Sequence, residues 1–218
     1  MTVEADPQLV LYHFPRACSQ VAVCALEGAG LPYRLELVNL AAGQQGSAEY
    51  LAVNPLGKVP LLSIDGVPLT ENAAILTYIA ALRPEAGLFP DRADPRSRAE
   101  VVGGMSFVGG TLHPNVRGVA NPQRMTTGDV EPVRECSSKL LAKAFAHAEK
   151  RIAANGWWLG ERSLIDVYVN WAFSVAKVAR FPVEAFPVLD GLAERLMEWP
   201  AFARMQEIEA QSIAALGL

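Results

Sequence analysis

The chain has 218 residues and a net charge of −4, with 51% hydrophobic and 19% charged residues, which suffices for one large domain or two small ones sharing a core. That balance excludes a protein built to hold a nucleic-acid backbone or an anionic membrane surface, since both need a basic footprint. Three cysteines without framework spacing, no signal-like N-terminus and no bilayer-length apolar run point to a cytoplasmic enzyme or binding protein.

The first 82 residues alternate between strand and helix patterns. Leu9–Phe14, "LVLYHF", is a short apolar strand, and Ala17 to Gly30 is predicted as a helix that stops on Gly28 and Gly30. The run from Tyr33, "YRLELVNL", alternates with period two, as a half-buried strand does. A loop with room for one helical turn follows. "KVPLLSIDGVPLT" then reads as two strands hinged on Asp65-Gly66. Thr70 is predicted to cap the next helix, "ENAAILTYIAAL".

Three prolines and little periodicity in Arg83 to Pro95 mark a linker. Beyond it the pattern is helical. Helices are expected from about Pro95 to His113, Asp129 to Ala154, Ser163 to Ala179, Val183 to Met197 and Pro200 to Ala215. The reading is thus an α/β domain over 1–83, a linker over 84–94 and an all-α domain over 95–218.

The N-terminal order βαβ-ββα is that of a thioredoxin-like fold. Pro60 opens the third strand, where proline is tolerated. The Val59-Pro60 bond is open to either isomer, because an X–Pro bond costs only about 0.5–1 kcal/mol to invert.

"PRACSQ", "VNPLGKVPLL" and "LTENAAILTYIA", ahead of a helical half that contains "GERSLIDVYVNWAF", resemble the cytosolic glutathione transferases. The "ACS" entry looks most like the bacterial beta class, in which a cysteine occupies the helix mouth. The resemblance spans nearly the whole chain. It implies a homodimer, glutathione bound as co-substrate without a metal, and a detoxification enzyme whose helical domain supplies the hydrophobic substrate site.

On that footing Glu71 would pair with the ammonium of glutathione, while the amides at the following helix start attract its γ-glutamyl carboxylate. Asn72 stands where the family usually has Ser or Gly, so its contact departs from the pattern. Val59 would pair its backbone with the cysteinyl residue as an added strand does, next to Pro60, and Lys58 would reach the glycyl carboxylate.

A helix N-terminus stabilises an anion, so a thiol at Cys18 is acidified there, as is a glutathione thiol beside it. Cys18 either donates a hydrogen bond to the glutathione thiolate or forms a mixed disulfide with it. No second cysteine lies at CxxC spacing, which excludes a two-thiol mechanism at Cys18. Ser19 either holds the thiolate through its hydroxyl or caps the helix. Strand alternation sends one of Tyr12 and His13 inward, towards the site.

Beta-class members carry a histidine where His113 stands, facing the active-site cleft, and a lysine after it, where this chain has Pro114. His113 is expected to end its helix, with Pro114 breaking it, and to hydrogen-bond Cys18 or polarise a substrate. Arg117 and Arg124 would meet an anionic substrate, and Lys177 would border the electrophile site. The glycines Gly103, Gly104, Gly109 and Gly110 either allow close packing or leave pocket space. Ser163 and Asp166 have capping-box spacing and belong to folding, Cys24 to the core, and Cys136 to a partly buried helix face.

The function expected is attack of enzyme-bound glutathione thiolate on a small hydrophobic electrophile. Thiol–disulfide exchange or peroxide reduction through Cys18 is the second enzymatic reading. A non-catalytic glutathione- or ligand-binding protein is the third.

Overall fold

The computed structural model of the protein describes residues 6–90 and 94–218. Residues 91–93 of the expected linker lie outside the described residues. By contact the chain divides into two compact units: Met1–Leu88 with Trp199–Leu218, and Phe89–Glu198.

The first unit is a four-stranded sheet with helices. In chain order it runs β1 (Leu9–His13), α1 (Gln20–Ala29), β2 (Tyr33–Leu37), a 3-10 turn at Gln44–Gly46, α2 (Ala48–Val53), β3 (Leu61–Ile64), β4 (Val67–Thr70) and α3 (Asn72–Leu82). Strand order is β2-β1-β3-β4, with β1 parallel to β2 and antiparallel to β3, and β4 antiparallel to β3. Leu9 faces Tyr33 and Ile64 across the ladder, and Leu11 faces Leu35 and Leu62. β1 is inner, so its sequence is continuously apolar rather than alternating.

α1 begins three residues later than the sequence pattern predicts, and it runs straight through Gly28. Gly28 is a packing residue: a Cβ there would come within 2.8 Å of the Leu88 side chain and 2.9 Å of Trp199. The stop is Gly30, left-handed at φ 61, whose N–H closes on the carbonyls of Glu27 and Leu26. Thr70 does not cap α3. It is the last residue of β4, and the N-cap position falls to Glu71 at φ 70.

α10 (Pro200–Leu216) packs on α1 and groups by contact with the first unit, not with the helices that precede it. Its buried stripe of Phe202, Met205, Ile208 and Ser212 recurs at helical spacing.

The second unit is helical: α4 (Pro95–Phe107), a π turn (Val108–Leu112), α5 (His113–Ala120), a 3-10 turn (Pro122–Arg124), α6 (Glu131–Asn155), α7 (Leu164–Val178), α8 (Pro187–Asp190) and α9 (Leu192–Leu196). The single helix expected over Val183–Met197 is two short ones meeting at Gly191. Phe145 of α6 lies at the centre, with ring centroids 5.3, 5.8 and 5.6 Å from Phe173, Phe181 and Phe186. The first two pairs meet edge-on and the third is tilted, contacts that add to the burial of the rings.

Ser163 and Asp166 do form a capping box at the start of α7. The Asp166 carboxylate accepts from Ser163 N, Ser163 Oγ and Trp158 N, each at 2.8 Å. Of the four glycines in question, Gly104 is a packing position, since a Cβ would meet Ile165 and Trp158 Nε1 at 2.6 Å. Gly103, Gly109 and Gly110 face open space. Among the described residues, no helix is long and apolar enough to cross a membrane, and no group of three His, Cys, Asp or Glu is placed to hold a metal ion.

Candidate active site

The turn Phe14–Ser19, between β1 and α1, carries Cys18. Cys18 is buried at 6% exposure, and its Sγ lies 3.7 Å from the carbonyl oxygen of Val59, to which it can donate. The Val59–Pro60 peptide is cis. The loop bearing Lys58 is pinned from α2 and the residue after it: Tyr50 Oη and Asn54 Nδ2 both donate to the Lys58 carbonyl, at 2.6 and 2.7 Å. Only the backbone of Lys58 is fixed in this way; its side chain is exposed.

Asn72 opens α3 with its side chain turned inward, and Nδ2 donates to the Cys18 carbonyl at 3.0 Å. Its Oδ1 is buried with no hydrogen-bond partner among the described residues. Glu71, one residue earlier, is exposed. A non-glycine residue at positive φ is costly, by about 1–3 kcal/mol, and such positions concentrate at ligand sites. Cys18, Val59 and Asn72 therefore meet, and Glu71 and Lys58 flank them along the chain.

Ser19 is not a helix cap. Its side chain makes no cap bond to α1. Instead Oγ accepts from Phe14 N at 3.3 Å and lies 2.8 Å from His13 Nδ1, wholly buried. Of the pair at the end of β1, His13 is the one turned inward. Tyr12 is half-buried and packs edge-on against Tyr50, with centroids 5.8 Å apart.

The sequence reading missed Glu209 of α10. Its Oε2 accepts from Arg16 N at 2.6 Å, and its Oε1 lies 2.9 Å from His13 Nε2. The signal was present: a carboxylate sits on the apolar stripe of an otherwise ordinary amphipathic helix.

The remaining candidates lie in the second unit. His113 does not end a helix. The π turn Val108–Leu112 precedes it and α5 continues to Ala120. Pro114 has no N–H to give to the carbonyl four residues back, and its ring would clash there; a locally widened turn accommodates both.

His113 Nδ1 lies 2.8 Å from Tyr168 Oη, and Arg117 Nε donates to His113 Nε2 at 3.5 Å. The spacing explains the cluster: His113 and Arg117 are one turn apart on α5, and Tyr168 and Trp171 one turn apart on α7. The Arg117 guanidinium stacks over Trp171 at 5.2 Å.

Arg124 is exposed in its 3-10 turn, away from this cluster in sequence. Lys177 is exposed and paired with Asp190. Cys136 is exposed rather than partly buried, because its position on α6 faces outward. Cys24 is fully buried, as expected.

Residues 7–81 match the family model described as glutathione S-transferase, N-terminal domain. A glutathione S-transferase of Xanthomonas campestris pv. campestris is 31% identical over 86% of this chain and 92% of its own. A maleylacetoacetate isomerase of Pseudomonas aeruginosa is 33% identical over 88% and 92%. Among solved structures, a glutathione transferase homologue from Sulfitobacter with bound glutathione is similar at a TM-score of 0.83, with 28% identity and coverage of 92% and 97%. The bacterial beta class glutathione S-transferase of Sphingomonas chungbukensis is similar at 0.80, with 28% identity and coverage of 92% and 98%. The fold, the turn that carries Cys18 and these likenesses agree: the chain belongs to the cytosolic glutathione transferase family.

Proposed function

We propose that the protein is a beta-type glutathione transferase, a cytoplasmic homodimer in which the thiolate of bound glutathione attacks a small hydrophobic electrophile. The observation that carries this reading is the approach of Cys18 Sγ to the Val59 carbonyl. A tripeptide paired in extended form with the Val59 backbone would bring its own cysteinyl sulfur to the same place. Glu71, exposed before α3, would receive the γ-glutamyl ammonium, and the first amides of α3 its carboxylate.

In the reaction the glutathione thiol gives up its proton to solvent water, and the helix α1 N-terminus favours the resulting anion. Cys18 turns its S–H from the Val59 carbonyl to the glutathione sulfur. The sulfur electron pair then forms the bond to the electrophile, whose leaving group departs with the pair of the bond that breaks. Several relatives are named maleylacetoacetate isomerases, which favours an electrophile that carries a carboxylate.

The second enzymatic reading uses the same sulfur differently. A Cys18 thiolate would attack a disulfide, releasing one thiolate and leaving a mixed disulfide for glutathione to resolve. Cys18→Ala separates the two. Conjugation to a model electrophile should persist at a reduced rate, whereas disulfide exchange should vanish. If the wild-type protein is not retained on immobilised glutathione, both enzymatic readings fall and a non-catalytic protein that binds another ligand is left.

A further inference from the structure

The turn that carries Cys18 is held by a buried polar chain that the proposed chemistry does not use. Arg16, two residues before the cysteine, adopts φ 64, a left-handed conformation that residues other than Gly, Asn and Asp rarely hold. What fixes it is Glu209, 6% exposed, whose Oε2 accepts the Arg16 N–H at 2.6 Å. The other carboxylate oxygen lies 2.9 Å from Nε2 of the fully buried His13. His13 Nδ1 in turn lies 2.8 Å from Ser19 Oγ, the residue after the cysteine. One carboxylate from α10 thus grips both sides of Cys18, directly at Arg16 and through His13 at Ser19.

The link between Glu209 Oε1 and His13 Nε2 is a close ion-pair contact rather than an aligned hydrogen bond, since neither atom has a hydrogen-bond partner among the described residues. Ser19 Oγ accepts from Phe14 N–H at 3.3 Å, and its own proton has two acceptors within reach, His13 Nδ1 at 2.8 Å and the Phe14 carbonyl at 3.3 Å. An apolar trio of similar volume would stabilise such a place at least as well as a desolvated carboxylate and imidazole. What the polar chain adds is direction, since it fixes the backbone on either side of the thiol.

We propose that Glu209 and His13 are positioning residues for Cys18, so that the C-terminal helix sets the geometry of the thiol site. The proposal deepens the transferase reading and rests on it for its catalytic consequence. The two side chains act by holding the turn Phe14–Ser19 so that Cys18 Sγ meets the Val59 carbonyl and the mouth of α1. Misplacement of a reacting group by about 1 Å can cost on the order of 100-fold in rate.

The test compares full-length wild type with Glu209→Gln and His13→Gln, using iodoacetamide labelling of each cysteine resolved by peptide mass spectrometry. Cys24 is the internal control: it is fully buried on α1 in the same unit, six residues beyond Cys18. If the chain positions the turn, each variant raises Cys18 labelling roughly tenfold by local opening, while Cys24 labelling stays at the wild-type rate.

In the same variants kcat for conjugation falls by roughly 10- to 100-fold, with KM for glutathione moving far less. Labelling that rises equally at both cysteines would reduce the chain to a general stabiliser and overturn the proposal, as would Cys18 labelling unchanged from wild type. Should Glu209→Gln not fold, His13→Gln carries the same readout alone. Should the wild type show no turnover with glutathione, the transferase reading fails and the labelling comparison still decides the positioning role.

Discussion

Buried polar side chains do different work in the two units. In the first, His13, Ser19, Asn72 and Glu209 all bond to one short turn, at Arg16, Cys18 and Phe14. In the second, Ser163 and Asp166 tie off the first turn of α7 and the chain entering it, beside a core built from phenylalanine rings. Hydrophobic burial has no direction, so it can drive a helix bundle together once the helix ends are satisfied. It cannot hold an irregular turn in a left-handed conformation. There the desolvated groups must supply geometry, and their hydrogen bonds converge on the residue to be placed.

The sharpest way to break that contrast is at Asp166. Burial pushes its carboxyl pKa up, and the N–H and O–H donors around it offset that rise only in part. Asp166→Ala should lower the unfolding free energy by about 2–3 kcal/mol in denaturant titration. The ratio of Cys18 to Cys24 labelling under native conditions should stay at the wild-type value. If that ratio rises, the two sets of buried polar groups are not separate in function.

This contrast also decides what could be read before the structure. The strands, the order of the first unit and the capping box were legible because each rests on local chemistry: an apolar run, the Asp65-Gly66 turn, a Ser three residues before an Asp. The approach of Cys18 to Val59 was legible through motif and position. What stayed hidden depends on partners far along the chain. Glu209 meets Arg16 across 193 residues, and nothing in the spacing of α10 names its partner. Ser19 looked like a cap because its position suits one, yet its hydroxyl is already engaged by His13 and Phe14. His113 looked like a helix end because proline usually follows one; the π turn that absorbs Pro114 has no residue signature strong enough to announce it.

Asn72→Ala sharpens the comparison within the first unit. The side chain donates one bond to the Cys18 carbonyl and leaves a buried Oδ1 unpartnered among the described residues, so its net stabilisation is small. Removing it should cost about 0.5–1.5 kcal/mol in unfolding free energy, less than Asp166→Ala. Cys18 labelling should rise relative to Cys24, because the lost bond falls on the turn itself. Equal labelling of the two thiols would show that α3 does not help to hold the site.

Lys177→Ala is the smallest change expected and the cleanest control. Its ammonium pairs with Asp190 of α8, with both side chains about half exposed at 55% and 47%. Water competes for such a pair and salt screens it, so little of its attraction survives as stability. Burial, which gives the polar groups around Cys18 their leverage, is missing here. Lys177→Ala should therefore leave the denaturation midpoint, the Cys18 labelling ratio and conjugation of an uncharged electrophile within error of the wild type. A fall in turnover with an anionic electrophile alone, at unchanged stability, would assign Lys177 to substrate binding and place a working charge on the exposed surface of the helical unit.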